Sequence, residues 1–300
     1  ELQTETLMKI AGVAYARLED RDMARELYAK VLENQPEHAG ALDALEELHA
    51  DAEDHEKLLE VLERKTEIAE DADRRVELLL RRGELCEKQL VDVPQAIDVY
   101  EQVMMESDRV EAYEGLERLY ERAERWMDLS SLYERQLDNQ VGDPLEVRYK
   151  LGWINLQPLN DPHRAMDCFR EVLEQARDHE PTVEALEKVM QDEEHRGAAA
   201  EILEPVYLAR MDWAKVTGAL EARLSDEADI EERKTLLRRL GEIHEDYLED
   251  LEGALEVYAR LFKEDPRDPD ALETLGRLAR HLLDPRPEPD FHAGLLGLAC

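Results

Sequence analysis

Nine histidines, three cysteines and 74 aspartates and glutamates are the residues of this 300-residue sequence that could do chemistry. Two histidines directly precede a glutamate, His55-Glu56 and His244-Glu245, as the zinc-protease pattern H-E-x-x-H begins. That pattern needs a second imidazole one helical turn on, and neither pair has one. Cys86, Cys168 and Cys300 are far apart, odd in number and without C-x-x-C spacing, so they read as free buried thiols rather than a disulfide framework or a zinc site. There is no phosphate loop, no G-x-G-x-x-G and no G-x-S-x-G. Paired carboxylates say little in a chain so rich in acids. A toroidal α/α glycosidase would also need an aromatic floor for sugar stacking, and only 5% of the residues are aromatic. The reading is a protein with no catalytic residues, no metal and no cofactor.

Carboxylates also gather in short runs, Glu70–Asp73, Asp192–Glu194 and Asp226–Asp229, at expected loops and helix starts. They lack the D-x-[DN]-x-[DN]-G calcium loop. One reading is that they solvate turns and cap helix N-termini. The other is a broad negative field that draws in a basic partner or serves solubility at high salt. The net charge of −36, from 74 acids against 38 lysines and arginines, excludes nucleic acid as a partner, because such a chain repels phosphate backbones. At 43% hydrophobic residues the chain can still build a core. Few aromatics, 13 glycines and 12 prolines disfavour sandwiches and barrels. No apolar run approaches the roughly 18 residues that span a bilayer, so no membrane insertion is expected. The sequence starts at Glu1 without a methionine and reads as a fragment or processed chain. Free thiols favour the cytoplasm.

The elements that must position any site are helices. A glycine, an alanine 12 or 13 residues later and an aromatic four residues after that recur four times: Gly12–Ala24–Tyr28, Gly83–Ala96–Tyr100, Gly152–Ala165–Phe169 and Gly241–Ala254–Tyr258. Apolar residues at three- and four-residue spacing mark one face of each helix. A glycine inside a helix is unfavourable by about 1 kcal/mol against alanine, so its recurrence points to a neighbouring helix too close for a β-carbon. The spacing predicts sixteen helices, from 2–18 to 268–281, paired in about eight hairpins. His55, Trp126 and Trp213 open a second register, each followed by an apolar residue at +3 and +7 and glutamate at +8. Trp126 and Trp213 are therefore expected to pack hairpins rather than to hold a ligand. The longer Trp126–Trp213 interval predicts one surplus helix near 195–211, a change of curvature there, and a kink at Pro205.

These residues resemble the tetratricopeptide repeat family. In the first unit Ala11, Gly12, Tyr15, Ala24, Tyr28 and Pro36 keep the family's spacing; the other three units carry one residue more before Ala96, Ala165 and Ala254. The texture is similar to the long divergent repeat proteins of myxobacteria and related bacteria. The resemblance implies an all-α, right-handed α-solenoid over residues 1–281, followed by a Pro-rich segment and apolar tail at 282–300. It also implies that the first helix of each pair lines a groove, which puts Lys9, Ile10 and Val13, then Leu80, Arg81 and Glu84, then Tyr149, Lys150 and Trp153, then Arg238, Arg239 and Glu242 at groove positions. A cation recurs in each set, placed either to meet carboxylates of an extended peptide or to neutralise glutamates of its own chain. The expected function is a scaffold binding a partner protein or peptide, with Lys9, Arg81, Tyr149, Lys150, Trp153, Arg238 and Arg239 as contacts. The alternative is a structural repeat protein that forms homo-oligomers or filaments end to end, with Phe291–Cys300 as the docking tail.

Overall fold

The computed structural model describes residues 2–283, and the 282–300 segment and its tail expected above lie almost wholly outside them. Among the described residues there are sixteen α-helices and no strand. Contacts divide the chain into two compact units, one through Leu159 and one from Asn160. The first holds α1 (Leu2–Ala16), α2 (Arg21–Asn34), α3 (Ala39–Asp51), α4 (His55–Glu67), α5 (Ala72–Leu85), α6 (Val93–Glu106), α7 (Val110–Arg122), α8 (Trp126–Asp138) and α9 (Pro144–Leu156). The second holds α10 (Pro162–Gln175), α11 (Glu180–Val189), α12 (Arg196–Ala209), α13 (Trp213–Asp226), α14 (Ile230–Asp246), α15 (Leu251–Glu264) and α16 (Pro269–Leu283).

The same device turns most hairpins. A residue in the left-handed region, Glu19, Glu53, Val91, Asn160, Met211 or Glu249, ends the connection. An aspartate follows it, and its carboxylate accepts from a backbone N–H of the next helix: Asp20, Asp54, Asp92, Asp161, Asp212 and Asp250. Each such cap stabilises a helix start by about 1 kcal/mol. Asp71 and Asp229, in two of the acidic runs, cap α5 and α14 in the same way. In the second unit of the repeat the additional residue is absorbed by a π-helical turn, Cys86–Leu90, after α5. Val91 then takes φ 55° with a β-branched side chain, a costly conformation for any residue but glycine. Val91 is 53% exposed, so its side chain buries little. Val91→Gly should therefore raise stability by about 1 kcal/mol; a urea midpoint equal to or below that of the parent would refute the argument.

The small residues of the four signatures, Ala24, Ala96, Ala165 and Ala254, are fully buried, as is Phe169. The glycines differ. A β-carbon on Gly83 would lie 2.7 Å from Tyr100 Cε1, and one on Gly241 would lie 2.7 Å from Tyr258 Cε2. At Gly12 the nearest atom is the Tyr28 hydroxyl at 3.9 Å, ordinary contact. Tyr100 is gripped from both sides, because a β-carbon on Gly115 would also lie 2.7 Å from its ring.

The break in register lies one helix earlier than the Trp126–Trp213 interval suggests. Helix α12 is the hairpin partner of α13, as α14 is of α15, and the supernumerary element is the short α11, 10 residues long, which touches α10 and α12. Helix α12 runs unbroken through Pro205. Val206, Tyr207 and Leu203 around that proline are buried, and this packing holds the turn that the missing N–H weakens.

Candidate functional site

Each groove position follows from the register of the first helices, and the structure shows what each side chain meets. Lys9, on α1, is exposed and makes no ion pair among the described residues. Arg81 of α5 reaches back to Glu46 of α3, a carboxylate 8% exposed that also takes Lys65 Nζ of α4 at 2.5 Å. Lys150 of α9 donates to Glu117 of α7 at 2.7 Å. Burial alone would lower the Lys150 ammonium; Glu117 outweighs it and holds the pKa above the ordinary lysine value. In the other unit Arg238 donates to Asp268 at 2.6 Å, and Arg239 pairs with Glu204, which also accepts from Arg223 at 2.5 Å. Asp268 is held below the usual carboxylate range, first by Arg238 and then by the N–H of Ala271. Four of the five groove cations thus meet an acid of a neighbouring helix or, for Arg238, of the turn before α16. Tyr149 is half-buried, and Trp153 keeps 44% of its surface exposed.

The buried glutamates Glu46 and Glu204, which the sequence reading did not single out, are the centres of two of these contacts, those of Arg81 and Arg239. They are equivalent positions. Residues 39–106 and 197–264 align without a gap, so that Glu46, Lys65, Arg81, Gly83 and Tyr100 correspond in sequence to Glu204, Arg223, Arg239, Gly241 and Tyr258. The equal spacing of Gly83 to Gly241 and of His55 to Trp213 was the signal for it.

Of the two histidine–glutamate pairs, His244-Glu245 has partners, whereas His55 Nδ1 is buried without one among the described residues. His244 Nδ1 lies 3.0 Å from the Asp250 cap, and Glu245 forms a two-pronged pair with Arg277. Cys86 is buried, which pushes its thiol up to about 11, far from nucleophilic use at neutral pH. Trp213 stacks on Tyr247 with ring centroids 3.9 Å apart. Among the described residues no group of three or more histidines, cysteines and acids is placed to hold a metal ion. None of the described helices is long and apolar enough to cross a membrane.

Several paired carboxylates titrate below their ordinary values. Glu87 is held down first by Arg118, Glu187 by Lys215 and Glu245 by Arg277. A depressed folded-state pKa contributes stability that is complete above the unfolded value and is lost as pH falls through the folded one. Opposing it, lowering the pH from 7 toward the isoelectric point near 4.6 relieves the self-repulsion of a −36 chain. The thermal midpoint should hold or rise from pH 7 to about 5 and fall steeply below about pH 4. A midpoint that declines steadily from pH 7 downward would contradict this balance.

Sequence models of the tetratricopeptide repeat family match residues 5–38, 112–147 and 146–179. Among curated proteins none matches the chain. Similar solved structures include a tetratricopeptide repeat protein from Parabacteroides merdae, 12% identical, covering 93% of this chain and 100% of that one, TM-score 0.34. Another is the C-terminal part of a TPR repeat-containing protein from Cytophaga hutchinsonii, 14% identical, with 89% and 99% covered and TM-score 0.37. A third is YrrB, described as a TPR protein with an unusual peptide-binding site, 16% identical, with 68% and 97% covered and TM-score 0.29.

Proposed function

We propose that this tetratricopeptide repeat protein is a non-catalytic scaffold whose first-helix face in residues 2–159 receives a partner protein or peptide. The observation that carries the reading is Trp153, a tryptophan left 44% exposed at a repeat position that also holds Val13, 45% exposed. Large exposed side chains recurring at one register position are what a binding face needs, since tryptophan is the side chain most enriched among dominant contacts. Ile10, 44% exposed, lies on the same helix as Val13. Apart from Lys9, the cations are held in place by acids of their own chain without being used up. A guanidinium carries five donors, and Arg81 spends one on Glu46 while about half its side chain is exposed. Lys9, Arg81, Tyr149, Lys150 and Trp153 are then contact residues of this face, with Arg238 and Arg239 as their counterparts in the second unit.

Photo-crosslinking in the source cells tests the reading, with a benzophenone side chain placed in turn at position 13, at position 153 and, as control, at Met127 of α8, 67% exposed. The first two sites should trap the same protein and the control should not. With that protein purified, Trp153→Ala should weaken binding about tenfold or more, the loss typical of a buried aromatic anchor. Indistinguishable products from all three sites would overturn the assignment of the face.

A further inference from the structure

The repeat register makes the groove between α2 and α4 equivalent to the groove between α6 and α8, yet the two are built differently. Between α6 and α8 the space is about 280 Å³ and side chains cross it. The Tyr120 hydroxyl donates to Glu101 at 2.7 Å, and Arg135 donates to the carbonyl of Met104 at 2.5 Å and to Asp108 at 3.2 Å. Between α2 and α4 the space is about 1140 Å³. Ala29 stands where Glu101 would be and His49 where Tyr120 would be, so the strut is missing. Arg64, at the position of Arg135, makes no side-chain hydrogen bond or ion pair among the described residues.

His49 lines this space and is 6% exposed, with no hydrogen-bond partner for its Nδ1. The nearest carboxylate, Asp54, is 3.6 Å from Nδ1, too far to bond. Burial lowers the pKa below its ordinary value. Around it the floor is apolar, with Leu32, Leu45 and Val61. The rim is acidic on balance: Glu26, Glu33, Glu37, Glu60 and Glu67 are exposed and form no ion pair among the described residues, against one such cation, Arg64, since Arg25 is taken by Asp22 and Lys57 by Asp54.

We propose that the α2/α4 groove is a docking site for a basic amphipathic helix of a partner protein, an inference that rests on the scaffold reading and gives it a second face. Two turns of helix form a cylinder ~10 Å across and ~11 Å long, roughly 900 Å³, which the space accommodates. Apolar side chains of the helix at i, i+3 and i+4 meet the Leu32–Leu45–Val61 floor. Its lysines and arginines meet the unpaired glutamates. The closed α6/α8 groove takes no such guest.

The probe is a fluorescein-labelled, helix-stabilised peptide about four turns long, made of leucine at helical spacing, alanine and lysine, followed by fluorescence anisotropy on the full chain. Ala29→Trp fills the groove without changing charge and should raise the Kd at least about tenfold, as should Glu33→Lys with Glu60→Lys. Glu252→Lys with Glu256→Lys, an equal change of charge on α15, should shift the Kd by less than about twofold. Melting curves confirm that each variant is folded; Ala29 is exposed and tolerates substitution. Absence of binding to the parent, parent-like binding by Ala29→Trp, or an equal loss from the α15 reversal would each overturn the site. Any of these alongside specific crosslinks at positions 13 and 153 would remove the groove and leave the scaffold standing.

Discussion

Replacing Gly83 with alanine should lower stability by about 1 kcal/mol, whereas the same replacement at Gly12 should raise it by about 1 kcal/mol. The two glycines occupy one repeat position inside first helices, so the gain in helix propensity, about 1 kcal/mol, is common to both. They differ in what the new methyl meets. At Gly12 it finds the Tyr28 hydroxyl at 3.9 Å, a contact that requires no movement. At Gly83 it would press on Tyr100 at 2.7 and 2.9 Å, and the ring cannot retreat because the Gly115 backbone bounds its other face as tightly. Tyr100 is 1% exposed, and its hydroxyl donates to Glu87, which in turn is gripped by Arg118 at 2.8 and 3.0 Å. Overpacking a site so constrained typically costs about 1–3 kcal/mol, more than the propensity gain. Urea denaturation of both variants reads the sign directly. Tyr100→Leu should abolish the penalty, so that adding Gly83→Ala to it costs nothing further. If Gly83→Ala proves as stable as the parent, the glycine is not there to admit the ring.

How much of this was legible in the sequence varies with the range of the interaction. The glycine, alanine and aromatic spacing named helices and their pairing because that code is local to one hairpin, and the pairs α1/α2, α5/α6 and α14/α15 that carry it pack together as it implies. It could not distinguish Gly12 from Gly83, since the difference lies in how closely the tyrosine of the paired helix approaches, 3.9 Å at Gly12 and 2.7 Å at Gly83, and the spacing is silent on that. The surplus helix was visible as an interval, but its position was not. Helix α12 has the apolar pattern of a first helix, and only its pairing with α13 shows that α11 is the odd element. The partners of the groove cations were out of reach for another reason. Glu46, Glu117 and Glu204 lie on the preceding first helix, in a chain with 74 acids, where no spacing rule picks one carboxylate from its neighbours. The open groove was hidden because it depends on two unremarkable replacements, Ala29 for Glu101 and His49 for Tyr120.

The paired clamps give the second prediction, and its direction follows from which charge can escape. Glu204 is 4% exposed and sits between Arg223 and Arg239, whose side chains are 22% and 41% exposed. Removing the glutamate frees two arginines that can turn to water, so Glu204→Leu should cost at most about 1–2 kcal/mol. Removing the arginines strands a carboxylate that cannot turn away. Arg223→Met with Arg239→Met should therefore cost about 3–4 kcal/mol. Adding Glu204→Leu to that pair should restore most of the loss, because a buried charge cluster replaced whole by apolar side chains is often neutral or stabilising. The equivalent cluster in the other unit, Glu46 with Lys65 and Arg81, should behave in the same order. There the cost of losing the glutamate should be smaller, since Lys65 keeps Asp43 at 2.5 Å. Urea midpoints for the single, double and triple variants decide it. If the triple variant is no more stable than the double, the buried carboxylate is not what the arginines are there to hold. The two clusters would then be surface ornament repeated by descent rather than the pins that lock one first helix to the next.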